Sequence, residues 1–370
     1  MNRPKILIGV VVLFIAVGAV FPLNASPQPQ QTIKIGAILP LTGDAASYGE
    51  DCRRGIELAL EDSSRPYQRS IDIVFEDTKA DPKTAISAFN KLVNVDKIQA
   101  VIGGMFSSTT LAVAPLAQQA GIILLTPTAA DEKIPATGDH IFSIYPSASS
   151  EGHFMANRLE EQVIGRIAVL YQNQTATKTI AAAFVETIQS RGGSVILNES
   201  IPDGKYAYRS IMEKVAARRP TAIYLSAYRD PVALLIIIGK EMGLDVVYAT
   251  QSTLYDEKAL SDYPGKLDGV LISGPYFDES SVSWEMISFS TRYKEKFLRA
   301  PSVWSAYGYD AADILTYALM RSARDASKPQ DKLAGQTFNG LTGRTKIKAD
   351  RTIEKEIVLY RIEKNVFVRD

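Results

Sequence analysis

Ile33-Lys34-Ile35-Gly36-Ala37-Ile38-Leu39-Pro40-Leu41-Thr42-Gly43-Asp44 is the stretch that decides the fold. Apart from Lys34, its first seven residues form an apolar run stopped by proline and glycine, the pattern of a strand buried on both faces. A loop follows, and helical spacing then runs over 48–62. Ile71, Ile73 and Phe75 mark a second strand. Asp81-Pro82 opens the next helix by supplying a cap and a fixed φ in the first turn. In that helix Ala85, Ala88, Phe89, Leu92 and Val93 share one face. Strand 100–104, helix 108–120 and strand 122–125 complete a first series.

The pattern restarts after Tyr145, with helices over 149–162, 177–191, 209–219 and 231–242 and strands over 167–171, 195–199, 222–227 and 246–250. Strands alternating with helices require parallel sheets covered on both faces, and two series require two sheets. The expected fold class is therefore α/β, with two doubly wound parallel-sheet lobes. The tail departs from this alternation. Helices over 283–298 and 305–324 lead to strands 356–362 and 366–369, a hairpin turning at Glu363-Lys364-Asn365.

Composition narrows the function. Lys+Arg and Asp+Glu both number 41, so the 370-residue chain has no net charge and lacks the basic excess by which proteins neutralise nucleic acid or anionic lipid. At the start, Asn2, Arg3 and Lys5 precede an apolar run over 6–21, then small residues and a Pro/Gln-rich stretch. That order predicts a secretory signal over 1–25, cleaved near Ala25, and a linker over 26–31; an uncleaved anchor is the alternative. Cys52 is the only cysteine, so no internal disulfide exists, and the two histidines, His140 and His153, flank no metal-binding pattern. Phosphate loops, zinc motifs and nucleophile elbows are absent. Neither an enzyme nor a cofactor or metal site is expected.

Ligands of open α/β sheets sit beyond the carboxyl ends of strands, which selects the loops after Leu39, Gly104, Leu125, Tyr171, Ala227 and Thr250. In Gly103-Gly104-Met105-Phe106-Ser107-Ser108-Thr109-Thr110, two glycines let backbone approach a ligand, and hydroxyls sit at a helix start whose free N–H groups attract a carboxylate. Plain N-capping by Ser107 or Ser108 is the simpler alternative. A second hydroxyl-rich loop, Thr126-Pro127-Thr128-Ala129-Ala130-Asp131, on the same sheet edge favours a binding site.

These stretches resemble the leucine/isoleucine/valine-binding protein family, type I periplasmic solute-binding proteins of ABC transporters. The opening strand with Ser47-Tyr48-Gly49, the acidic Glu76-Asp77-Thr78-Lys79-Ala80-Asp81-Pro82, the serine and threonine loops, and Tyr307-Gly308-Tyr309-Asp310-Ala311 follow in the family's order. The resemblance implies three hinge crossings, with lobe one over 32–145 plus 275–340 and lobe two over 146–274 plus 341–370. It also implies a ligand site of Tyr48, Phe106, Ser107, Ser108, Thr128, Ala129, Thr175, Tyr228 and Ser252, with Ser107 and Thr128 on a ligand carboxylate.

Departures from the family pattern matter too. Amino-acid binders hold the substrate ammonium with a carboxylate in the loop after the strand ending near Thr250, where this chain has Gln251-Ser252-Thr253; a second acidic position is Ala148. Ala130 stands where a threonine is common and Thr175 where an aromatic is common. An uncompensated ammonium in a closed cleft is costly, which favours a carboxylate or neutral polar ligand. Arg229 reads as a surface residue ahead of an acid-binding one, Trp304, Tyr307 and Tyr309 as packing residues of lobe one, and Tyr276 as away from the cleft rim. The function implied is a periplasmic or extracytoplasmic, monomeric solute-binding receptor that delivers a small molecule to an inner-membrane ABC permease, with no nucleic-acid partner. A ligand sensor docking on a signalling receptor is the alternative.

Overall fold

The computed structural model describes residues 32–67, 70–162, 165–279 and 281–370; the expected signal segment and linker lie outside them. The first half alternates as β1 (Ile33–Leu39), α1 (Ala46–Tyr67), β2 (Ile71–Asp77), α2 (Pro82–Asn94), β3 (Ala100–Gly103), α3 (Ser107–Ala120), β4 (Ile123–Thr126), α4 (Lys133–Ala136) and β5 (Ile141–Ser143). Its five strands pair in parallel in the order β2-β1-β3-β4-β5. The second series runs α5 (Ala148–Gln162), β6 (Arg166–Tyr171), α6 (Thr175–Ser190), β7 (Ser194–Ser200), α7 (Tyr208–Ala217), β8 (Ala222–Ser226), α8 (Arg229–Glu241), β9 (Val247–Thr250), α9 (Glu257–Asp262) and β10 (Leu271–Pro275). There follow α10 (Trp284–Phe297), α11 (Val303–Asp325), β11 (Thr337–Gly340), β12 (Gly343–Ile347), β13 (Ile353–Lys355), β14 (Ile357–Glu363) and β15 (Val366–Arg369).

Both large sheets are doubly wound, and the side-chain alternation of their strands shows why. In β1, Ile35, Ala37 and Leu39 enter a core shared with α1 and α11, whereas Ile38 enters the opposite core beneath α2 and α3. In β6, Ala168 and Leu170 face α7 and α8, while Ile167 and Val169 face α5 and α6. A strand sandwiched this way is apolar through its central positions, Ile35–Leu39 in β1 and Ile167–Leu170 in β6, as the runs in the sequence require. The α2 start follows the sequence too: the Asp81 side chain accepts the Thr84 N–H and Pro82 occupies the first turn.

The second sheet has seven strands in the order β15-β14-β10-β9-β8-β6-β7, and β14 and β15 run antiparallel at its edge. Their turn places both Lys364 and Asn365 at positive φ, 51° and 62°, the twist a two-residue hairpin needs. Between β10 and β14 the chain belongs to the first half of the molecule. α11 packs along α1 so closely that Gly308 has no room for a side chain; a Cβ there would lie 2.2 Å from the Cys52 carbonyl oxygen. Cys52 is accordingly fully buried, and burial drives its thiol pKa upward.

Residues 341–355, allotted from the sequence to lobe two, pack with the first core instead. Leu341, in the turn between β11 and β12, and Ile347, at the end of β12, are buried there beside a separate three-stranded sheet, β11-β12-β13, and the chain rejoins the second sheet only at Ile357.

Candidate functional site

The carboxyl ends of both large sheets converge on one cavity of about 70 Å³. At roughly 10–15 Å³ per water, it holds about five waters, the scale of a small organic molecule. All six loops picked out by the strand-end rule, or the helices they lead into, reach it. Tyr48 follows β1, Phe106 and Ser107 follow β3, Thr128 and Ala130 follow β4, Ala176 and Thr177 follow β6, Tyr228 follows β8, and Gln251, Ser252 and Thr253 follow β9.

Six of the nine residues expected at the site thus line the cavity: Tyr48, Phe106, Ser107, Thr128, Tyr228 and Ser252. The other three do not. Ser108 sits one place further along α3, Ala129 is buried in the core behind the wall, and Thr175 is exposed at the start of α6, where Ala176 and Thr177 take the lining positions instead. Sequence reasoning missed Met105, Ala130, Tyr145, Glu151, Ile180, Gln251 and Thr253. Trp304, expected to pack within lobe one, both packs edge-on against Tyr48 (centroids 5.4 Å apart) and lines the cavity. Tyr276, Tyr307 and Tyr309 stay outside the lining.

The two glycines before α3 have a different role from the one expected. Gly103 and Gly104 take φ of +135° and +66°, and a Cβ would strike the Ile38 carbonyl at 2.2 Å or the Thr110 hydroxyl at 2.6 Å. They let the loop fold onto the protein itself, not onto a ligand. The Gly104 carbonyl is then held by the hydroxyls of Thr110 and Thr126, and the Met105 carbonyl by that of Thr128 at 2.8 Å. Thr128 therefore spends its proton on the loop and offers the cavity only an acceptor. α3 starts at Ser107, and its cap residue, Phe106, makes no side-chain capping bond. The capping alternative fails, and the helix N-terminus with Ser107 in its first turn remains available to an anion.

The opposite wall carries what the sequence concealed. Glu151, in the first turn of α5, is 4% exposed and is the one lining residue with a full charge available. Its Oε1 accepts the Ser252 N–H at 2.7 Å and the Ser273 hydroxyl at 3.0 Å. Burial raises its pKa, and the bonds from Ser252 and Ser273 pull against that rise. The expectation of a cleft without a carboxylate is corrected here. The acidic group comes from α5, a helix the sequence marks only by Ser149-Ser150-Glu151, and not from the loop after β9.

Contacts join the two halves across the cavity. The Tyr145 hydroxyl donates to Ser252 Oγ at 2.8 Å, the Phe106 and Tyr228 rings meet edge to face at 5.6 Å, and the Arg229 guanidinium lies 5.8 Å from the Tyr48 ring centroid. Arg229 is not the surface residue expected: it is 6% exposed and bonds Asp256 and Asp230, both at 2.9 Å. With its charge satisfied there, it stands behind the aromatic wall and not in the lining. Among the described residues no group of three or more His, Cys, Asp or Glu is placed to hold a metal ion. The cavity pairs no general acid with a general base; it offers hydrogen-bond donors on one wall, a carboxylate on the other and aromatic rings between.

A model of the periplasmic binding protein family matches residues 32–366. The leucine-, isoleucine-, valine-, threonine- and alanine-binding protein of Pseudomonas aeruginosa is 24% identical over 322 residues, 84% of each chain. In structure, the chain is similar to a leucine-binding protein of Thermotoga maritima (TM-score 0.83, 21% identity, 92% of this chain and 98% of that one). It is equally similar to an ABC transporter solute-binding protein of R. palustris solved with benzoate (TM-score 0.82, 20% identity, 92% and 95%). At such identities the two structures bear on fold alone; one is described as a leucine-binding protein and the other was solved with benzoate.

Proposed function

We propose, on the premise that this chain belongs to the periplasmic binding protein family, that it is the extracytoplasmic receptor of an ABC importer of the branched-chain amino acid or amide type. It binds a small polar or carboxylate-bearing ligand between its lobes and closes on it by rotation about three hinge crossings. The chain is exported by its N-terminal segment, acts as a monomer and passes the ligand to a permease in the inner membrane. The lobes we assign are 32–145 plus 276–355 and 146–275 plus 356–370.

One observation carries this reading: an uncapped helix N-terminus with Ser107 in its first turn opens onto a cavity built from the strand ends of two sheets. Anions are favoured at such a position by the free N–H groups and the helix dipole. Ser107, the adjoining N–H groups of Ser107 and Ser108, and Tyr48 hold the ligand's carboxylate or polar end. Phe106, Tyr228 and Trp304 enclose its body, and Thr128 and Ser252 border it. Turnover needs a proton-transfer pair that the lining lacks.

A thermal-shift screen of residues 26–370, unfolded and refolded to remove carried-over ligand, tests this. The panel holds branched and aromatic amino acids, their des-amino acids and small amides. A binder at a hundredfold excess over its Kd adds about 2.7 kcal/mol to stability. The receptor reading stands if at least one class shifts the melting temperature and Ser107→Ala removes the shift, and it falls if no class does.

A further inference from the structure

Arg229 stands where a cation is unfavourable. It opens α8, and the positive end of a helix dipole repels a positive charge. It is also buried, so its charge is withdrawn from water. Asp230 and Asp256 offset that cost by accepting from Nε and Nη1. Asp256 in turn caps α9 by accepting the Lys258 N–H at 2.9 Å. Arg229 thereby ties the start of α8 to the start of α9, and that staple is the simplest role for it.

A staple alone does not account for the charge. A neutral donor could bond Asp256 without setting a cation on a helix N-terminus. What the guanidinium adds is attraction for an electron-rich group, and one lies opposite, on the first sheet's side of the cavity. The central carbon of Arg229 sits over the Tyr48 ring, 5.8 Å from its centroid, inside the reach of about 6 Å within which a ring attracts a cation. Such contacts are strongest where water is excluded, and here the guanidinium is buried and the Tyr48 oxygen is buried without a partner among the described residues. The hydroxyl's pKa is pushed upward, first by burial and then by Asp256, so the field of the Arg229 cluster reaches this ring.

Opening of the lobes would separate only one of these contacts. Arg229, Asp230 and Asp256 all belong to the second lobe and stay together, whereas Tyr48 follows β1 in the first. Tyr48 lines the cavity and Arg229 does not, so Arg229 reaches a ligand only through Tyr48.

We propose that Arg229 is a positioning residue for ligand retention: held by Asp230 and Asp256, its guanidinium grips the Tyr48 ring across the cleft when the lobes close and keeps that wall of the cavity over the ligand. The proposal rests on the receptor function and names the group that slows release. The contact forms only once the ligand has entered and the lobes have closed, so its energy is read in the dissociation rate and not in the association rate.

Stopped-flow kinetics on residues 26–370 test it, with whichever of L-leucine, L-phenylalanine, 4-methylpentanoate and benzoate binds the wild-type chain most tightly. Arg229→Gln speeds dissociation about fivefold to thirtyfold, the range of a desolvated cation–ring contact, and leaves association within about twofold. Arg229→Lys, which keeps the cation, recovers most of the slow release. The ring is then varied in place. Tyr48→Phe is compared with mono-, di- and trifluorinated phenylalanine at the same position, because each fluorine draws electron density from the ring face while nearly preserving its size. Dissociation quickens stepwise along this series when Arg229 is present and stays level in the Arg229→Gln background.

A series that is level with Arg229 present, or equally steep in both backgrounds, overturns the proposal. Arg229 is then a staple between α8 and α9 alone, and the receptor function survives. If no probe binds the wild-type chain, both fall. Should Arg229→Gln not fold, the fluorine series with Arg229 present decides: a stepwise rise supports the grip on Tyr48, and a level series overturns it.

Discussion

At Glu151 the sequence and the structure part most clearly. An acidic residue in a first turn is what a helix dipole favours on an exposed surface, so Ser149-Ser150-Glu151 carries no sign of burial. The partners that place it in the cavity wall, Ser252 and Ser273, lie 101 and 122 residues further on. Ser107 was legible for the opposite reason: the glycines, the hydroxyls and the helix start that define it are consecutive. Burial at Glu151 has a measurable consequence in the ligand-free protein. The folded state raises its pKa above the ordinary glutamate value of 4.5. Between that value and the raised one the folded chain holds a proton that the unfolded chain has lost, so this group's contribution makes stability fall as pH rises through the window. Ligand-free Glu151→Gln is expected to melt at higher temperature than the wild type at neutral pH, with the gap closing towards pH 4. Melting curves at half-unit pH steps check this, and a gap constant with pH would place the Glu151 carboxylate in water.

At the scale of elements, strands buried on both faces and helices with one apolar face were readable over 33–125 and 149–250, because each fits a single periodicity, whereas α4 and β5, of four and three residues, were too short to register. The terminal hairpin was readable from its turn. The segment over 337–355 was not: its strands are 3 to 5 residues long, too short for alternation to register. A buried polar network anchors it. Asp310, on α11, accepts the N–H groups of Leu341 at 2.8 Å and Thr342 at 2.9 Å, and the Thr342 hydroxyl as well. Lys355 donates to Thr342 Oγ1 at 2.7 Å and Thr345 Oγ1 at 2.6 Å. Burial lowers the Lys355 pKa to about 8, with Asp310 opposing the fall, so its ammonium depends on that carboxylate. This explains the Asp in Tyr307-Gly308-Tyr309-Asp310-Ala311 as a clasp holding a small sheet to α11. Asp310→Ala leaves two buried N–H groups and the partly buried Lys355 ammonium without their carboxylate. It should lower unfolding free energy by about 3–5 kcal/mol, the cost of breaking a buried ionic network on one side. Urea titration measures this; a loss under about 1 kcal/mol, the size of one ordinary hydrogen bond, would mean that water satisfies these groups.

At the scale of the whole molecule, the two sheets and their order of appearance were legible, whereas the contacts that span the cavity were not, since each joins residues over a hundred positions apart. Phe106 and Tyr228 show what such contacts do. Phe106 stands before α3 on the first sheet, Tyr228 before α8 on the second, and their rings meet at 84° with centroids 5.6 Å apart. Edge-to-face pairs contribute about 0.5–1.5 kcal/mol beyond the area they bury. If closure brings them together, that energy exists only in the closed state and adds to ligand affinity without either ring having to touch the ligand. Phe106→Ala and Tyr228→Ala should then each weaken the tightest-binding probe of the panel, by up to about tenfold for 1.4 kcal/mol. The double variant should lose less than the sum, by a coupling of about 0.5–1.5 kcal/mol, because the second truncation finds the pair already broken. Additive losses would show instead that each ring acts on the ligand alone, and that the lobes close without this contact.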